Sequence, residues 1–111
     1  MSESHLAMVR KLPCCVCGAL AMVQAHHLLR TGEHGTGRKS SDRWAIPLCR
    51  PHHDMLHHRG DEEQFLMDYG VPGRELASAL WAARNKPIPL AAMERVASNF
   101  RMEAAMKMRT A

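Results

Sequence analysis

Two short pairs of metal-binding residue types constrain this chain more than any other feature. Cys14 and Cys17 form a C-x2-C pair, Cys49 and His52 form a C-x2-H pair, and 31 residues separate the two. Together they supply four ligands, the number a closed structural zinc site takes. A fold that unites them must send the intervening segment out and back, as a hairpin does. A chain of 111 residues has room for one domain with a modest core, so a structural metal adds useful stability. No apolar run approaches the roughly 20 residues that span a bilayer. The N-terminus "MSESHLAMVRKL" has no signal-peptide hydrophobic region. The expectation is a cytoplasmic protein with no membrane partner. In a reducing compartment four cysteines read as ligands rather than disulfides. Cys15 is the spare and is expected to point away; the competing reading is that all four are buried free thiols.

A second set of histidines lies beside the first. "CRPHHDMLHH" (49–58) holds four of the eight histidines. Pro51 suits a first helical turn, and His53 and His57, four apart, share one helix face. That spacing lets a helix hold one metal ion with two imidazoles; for two isolated histidines a solvated polar face is the commoner outcome. His58 is displaced from that face and reads as a bystander. His26 and His27 occupy adjacent positions in an apolar run, so on a strand they point to opposite faces. One can join the metal while the other stays free for proton transfer.

The pattern along the chain predicts an α+β fold. Residues 1–11 read as a short helix, and "PCCVCG" as a knuckle. "AMVQAHHLL" (21–29) reads as a strand, and the glycine-rich, charged "RTGEHGTGRKSSDR" (30–43) as an exposed loop. "WAIPLC" (44–49) reads as a second strand, which Pro47 confines to an edge or an end. A helix follows from Pro51 to a cap at Gly60. The next runs from an Asp61 cap, with Gln64 as its capping-box partner, to Gly70. A third covers 71–86, with Leu76, Leu80, Trp81 and Ala83 on its apolar side. The last covers 90–109, with Leu90, Met93, Val96 or Ala97, Phe100 and Ala104 at helical spacing. Residues 1–60 then form a zinc-stapled unit, and 61–111 a mostly helical C-terminal region packing on it.

These residues resemble the HNH, or ββα-metal, endonucleases. The strand "HH" and the helical H-x3-H pair are similar to those of colicin-type DNases. The run "AHHLLRTGEHGTGRKSSDRWAIPLCRPHHDMLH" resembles small prophage nucleases of the YbcO, DUF968 and Ref kind. The shared features are the strand histidine, the loop residues Gly35, Gly37 and Lys39, Asp42, and the Pro-Leu-Cys run into a His-rich helix. The resemblance covers about residues 12–60. It implies an HNH core with a zinc knuckle, an endonuclease activity on DNA, single- or double-stranded, with low sequence specificity, and a link to recombination or replication proteins of a phage. Carried over, Cys14, Cys17, Cys49 and His52 hold the structural zinc. His26, His53 and His57 hold a catalytic divalent cation (Mg2+, Mn2+, Ni2+ or Zn2+), and His27 is the general base. The family's middle asparagine is missing, and Asp42 is the candidate to orient the base in its place. Lys39 is a further catalytic candidate.

The general chemistry fits those assignments. Imidazole at neutral pH is mostly a free base able to take a water proton. Three imidazoles form a borderline-soft set that favours transition metals over Mg2+. The net charge of +4, with 11 of 15 basic residues arginine, suits a phosphate-rich partner. Arg38, Lys39 and Arg43 are the candidates to meet the backbone of a nucleic acid; the competing reading is a solvated loop. The alternative function is a zinc-stapled nucleic-acid-binding module without catalysis, which has no use for His26, His27, His53 and His57 together.

Overall fold

The computed structural model describes residues 3–29 and 41–110. They form α1 (Glu3–Val9), β1 (Val23–His27), β2 (Ala45–Cys49), α2 (Arg50–Arg59), α3 (Glu62–Asp68), α4 (Gly73–Ala83) and α5 (Pro89–Thr110), with one 3₁₀ turn at Asp42–Trp44 ahead of β2. The fold is mixed α+β: a two-stranded antiparallel sheet and a majority of helix. Register runs from Val23 opposite Cys49 to His27 opposite Ala45. Both strands are therefore edges, and Pro47 sits opposite Ala25, where its missing N–H costs little.

β1 is shorter than the apolar run 21–29. Met22 has φ 60°, a left-handed turn that an extended chain cannot pass through, and its carbonyl accepts the Arg50 N–H at 3.0 Å. Trp44 belongs to the 3₁₀ turn rather than to β2, and its carbonyl accepts the Leu28 N–H at 3.0 Å, closing the sheet end. α4 begins at Gly73 and ends at Ala83, inside the expected 71–86. Asp61 caps α3, accepting from the Gln64 N–H at 3.2 Å. The expected capping box is not closed, because the Gln64 amide donates forward to Asp68 Oδ1 at 2.8 Å.

β2 is buried along its whole length, with α1, α2 and α4 packed against it. Ile46 and Leu48 are fully buried, as are Leu12, Leu56, Leu76, Leu80 and Met93. Each such side chain contributes about 1.5–3 kcal/mol on leaving water. This one core joins residues from both sides of Gly60: Leu28, Ile46 and Leu56 pack in the same cluster as Phe65, Leu76 and Met93. α5 lies on α4 through Met93 and Ala97, with Val96 only partly buried. Toward the other end of α5, Met102, Met106 and Met108 are exposed. Among the described residues no helix is long and apolar enough to cross a membrane.

Candidate functional site

The knuckle is built by a tight turn tied to the sheet. The Gly18 N–H donates to Cys14 O at 2.8 Å, and Cys14 N–H donates to Ala19 O at 2.9 Å. Gly18 takes φ +80°, which an L side chain rarely adopts. Cys15 N–H donates to Pro47 O at 3.0 Å, and this ties the turn to β2. There Cys49 closes the strand and His52 follows in the first turn of α2. The ligand atoms of Cys14, Cys17, Cys49 and His52 all lie within 4.8 Å of one another. Cys17 Sγ and Cys49 Sγ are 3.8 Å apart, and this matches the edge of about 3.8 Å that a tetrahedron with Zn–S bonds near 2.3 Å requires. His52 presents Nδ1 to Cys49 Sγ at 3.2 Å, with its ring edge-on to Tyr69. This set could hold a metal ion such as zinc.

The thiols are electrostatically uneasy together. Burial pushes the Cys49 thiol up to about 11. For Cys14 burial pushes the same way, yet the N–H groups of Cys49, Cys17 and Val16 outweigh it and hold the thiol below its ordinary value. A divalent cation resolves that conflict by favouring the thiolate at each position. Cys15 stands outside the cluster in the core, as expected, and its burial holds it strongly in the thiol form.

A second group lies one residue further along α2. His26, His53 and His57 bring their ligand nitrogens within 4.8 Å of one another. His53 Nε2 and His57 Nε2 are 3.2 Å apart, near the edge of about 3.3 Å expected for two imidazoles on one tetrahedral ion. His26 stands edge-on to both rings, with centroids 5.1 Å and 6.0 Å away. Burial first, and then the neighbouring His26 and His57, lowers the His53 pKa, so its lone pair is available at neutral pH. His58 stays outside the group and exposed, beside Met55, Arg59 and Tyr69.

β1 separates its two histidines by face. His26 is buried, and His27 remains 35% exposed at its side chain. His27 Nε2 lies 2.9 Å from Asp42 Oδ1. A carboxylate only accepts, so the proton sits on Nε2 and Nδ1 carries the lone pair. Arg43 is exposed, with its guanidinium 5.1 Å from the Trp44 ring centre. Arg38 and Lys39 lie outside the described residues.

Two groups near the site were not anticipated. Glu62, in the first turn of α3, reaches His26 Nε2 at 2.6 Å. Nothing in residue spacing points from position 62 back to 26; only the left-handed cap at Gly60 and the Asp61 cap bring the carboxylate there. His5 on α1 is fully buried, its ring edge-on to Trp81 at 4.9 Å. Neither of its nitrogens has a hydrogen-bond partner among the described residues.

A sequence model described as "Protein of unknown function (DUF968)" matches residues 1–83. The chain belongs to the DUF968 family. The matched span holds both ligand groups, His27, Asp42 and Glu62, and it stops at the last residue of α4, so α5 lies beyond it. The chain is also similar to the uncharacterized protein YdfU of Escherichia coli (strain K12), at 40% identity over 57 residues. That alignment covers 51% of this chain and 16% of YdfU, so the chain spans only a small part of the length of that curated relative. No solved structure matches the chain.

Proposed function

We propose that this DUF968 protein is a metal-dependent endonuclease of the HNH, or ββα-metal, kind acting on DNA. One observation carries the reading: adjacent strand histidines face two different chemical settings. His26 meets His53 and His57, a set suited to an ion. His27 meets a carboxylate at Nε2, which leaves the ring's lone pair on Nδ1, a setting suited to a base. β1, β2 and α2 are the elements such a core needs.

A divalent ion bound by His26, His53 and His57 would supply positive charge to a phosphodiester placed over the trio. The chain's own groups do the rest. His27 Nδ1 takes a proton from the attacking water as its oxygen adds to phosphorus. The bond to the 3′ oxygen breaks, and that oxygen leaves and is protonated by solvent. Asp42 keeps the ring in one tautomer and stabilises the imidazolium that forms. Arg43, with Arg38 and Lys39 by their sequence position, would meet backbone phosphates and so bind without strong sequence preference. Lys39 is also a candidate to touch the reacting phosphate. A recombination or replication protein is the kind of partner that would direct such a cut.

The test is nicking of supercoiled plasmid by the zinc-loaded protein with Mg2+, Mn2+ or Ni2+. Cleavage is expected, stronger with the transition metals. His27→Ala should lower the rate by about 10²–10⁴-fold, the usual contribution of a general base, and added metal should not restore it. No cleavage with any of the three ions overturns the reading; DNA binding that persists without cleavage favours the alternative, a zinc-stapled binding module.

A further inference from the structure

Beyond its two histidine neighbours, the His26 side chain meets a carboxylate. Its Nε2 lies 2.6 Å from Glu62 Oε1, and the second oxygen of that carboxylate accepts the Leu29 N–H at 2.9 Å. Both side chains are well shielded, 4% exposed for His26 and 13% for Glu62, so water competes weakly for the bond. A carboxylate cannot donate. The imidazole proton therefore sits on Nε2, and the only lone pair His26 has left is on Nδ1.

We infer that Glu62 is the positioning residue of the histidine ion site: it fixes the tautomer and ring rotation of His26, so that Nδ1 is the nitrogen offered to an ion shared with His53 and His57. The inference rests on reading that trio as an ion site, as proposed above. It extends the site beyond the β1–β2–α2 unit, because Glu62 belongs to α3. The carboxylate is held at both oxygens, by His26 and by the backbone just past β1, so its own rotation is fixed. Gly60 at φ +88° and the Asp61 cap set where α3 starts, and Glu62 occupies the first turn, where negative charge is favoured. A carboxylate behind a ligating imidazole also raises the ligand's basicity, and losing such a partner typically costs 10–100-fold in metal affinity.

The experiment uses Co2+ as the probe, added to the full chain with the knuckle already loaded with zinc. Nitrogen-15 NMR reads which His26 nitrogen carries the proton and which one Co2+ perturbs. Absorption reads the affinity. In the parent protein the proton is expected on Nε2 and the Co2+ effect on Nδ1. Glu62→Gln should bind Co2+ about 10–100-fold more weakly with an unchanged unfolding curve, and excess Co2+ should restore binding. Glu62→Asp should restore part of the affinity only if its shorter carboxylate still reaches Nε2, which the same spectrum reads. A purely structural carboxylate would alter the unfolding curve and leave the metal-facing nitrogen unmoved. Co2+ at Nε2 in the parent, no Co2+ at the trio, or an unchanged affinity in Glu62→Gln overturns the inference. None of these readings needs a substrate: a protein that binds Co2+ through Nδ1 and cuts no DNA loses the nuclease reading and keeps this role for Glu62.

Discussion

At the scale of single residues the molecule carries two buried histidines of opposite character. His26 is held by a carboxylate; His5 has no partner among the described residues and rests on the edge of Trp81. Burial lowers the His5 pKa from 6.5, the Arg84 guanidinium adds to that lowering, and Asp42 opposes it. The folded state thus prefers the neutral ring. Below about pH 6.5 the unfolded chain takes up a proton that the folded chain resists, so stability is full above that pH and is lost as the pH falls below it. An unpartnered buried polar group also costs about 1–3 kcal/mol at any pH. His5→Leu should therefore be more stable than the parent, and the gap should widen as the pH falls from 8 to 5.5. Urea unfolding of the zinc-saturated pair of proteins across that range checks this; a gap that stays constant or narrows removes His5 as the titrating group. The role of His5 was not legible beforehand, because one histidine in a short helix carries no periodic signal. His27 was partly legible: the alternation of a strand separates it from His26, while its Asp42 partner, fifteen positions away, was reached only through the family resemblance. Glu62 was hidden for the same reason as His5. Its place beside His26 is set by where a capped turn ends.

At the scale of elements, the helices were the most legible part. α4 and α5 carry apolar residues at helical spacing, and Leu76, Leu80, Met93 and Ala97 are all buried as that spacing requires. Strand ends were harder to read, because apolar residues run past both ends of β1 and only the left-handed turn at Met22 stops it. Glycines mark the joints between helices, and two of them separate cleanly by what surrounds them. Gly60, capping α2, has φ +88° and open space where a Cβ would stand. Gly70, after α3, has φ +75°, and a Cβ there would lie 3.2 Å from the Ala104 backbone of α5. Gly60→Ala should cost only the strain of a left-handed alanine, about 1 kcal/mol. Gly70→Ala should cost clearly more, about 2–4 kcal/mol, since strain of roughly 1–3 kcal/mol is joined by a clash with a helix backbone that cannot rotate away. Thermal unfolding of both variants measures the difference. Equal losses would mean that α5 does not press on the α3–α4 turn as closely as the structure has it.

At the scale of the whole molecule, the two ligand groups meet at the junction of β2 and α2, and their dependence on each other is one-sided. Cys49 ends β2, His52 lies in the first turn of α2, and His53 is the next residue; the knuckle thus anchors the helix that presents the trio. The trio has no comparable hold on the knuckle. α2 is pinned to the core by Leu56, β1 is paired with β2, and His26 is hydrogen-bonded to Glu62 of α3. Magnitudes decide the outcome. A structural zinc site is worth about 10–16 kcal/mol in small peptides, against a total stability of about 5–15 kcal/mol for a domain. Removing the knuckle metal should therefore unfold the chain, and the trio should disperse with it. Removing an ion held by one buried imidazole and two on the outer face of α2 should leave the fold standing. Cys49→Ser is expected to lose both ions and the cooperative unfolding transition. His57→Ala should keep the zinc and the transition, lose only the second ion, and regain part of any cleavage as Mn2+ is raised. In the parent protein, increasing chelator should stop cleavage first and unfold the chain later, with two separate midpoints in metal content. A Cys49→Ser protein that melts like the parent, or a His57→Ala protein that cannot fold, would reverse this order of dependence and move the structural role from the cysteines to the histidines.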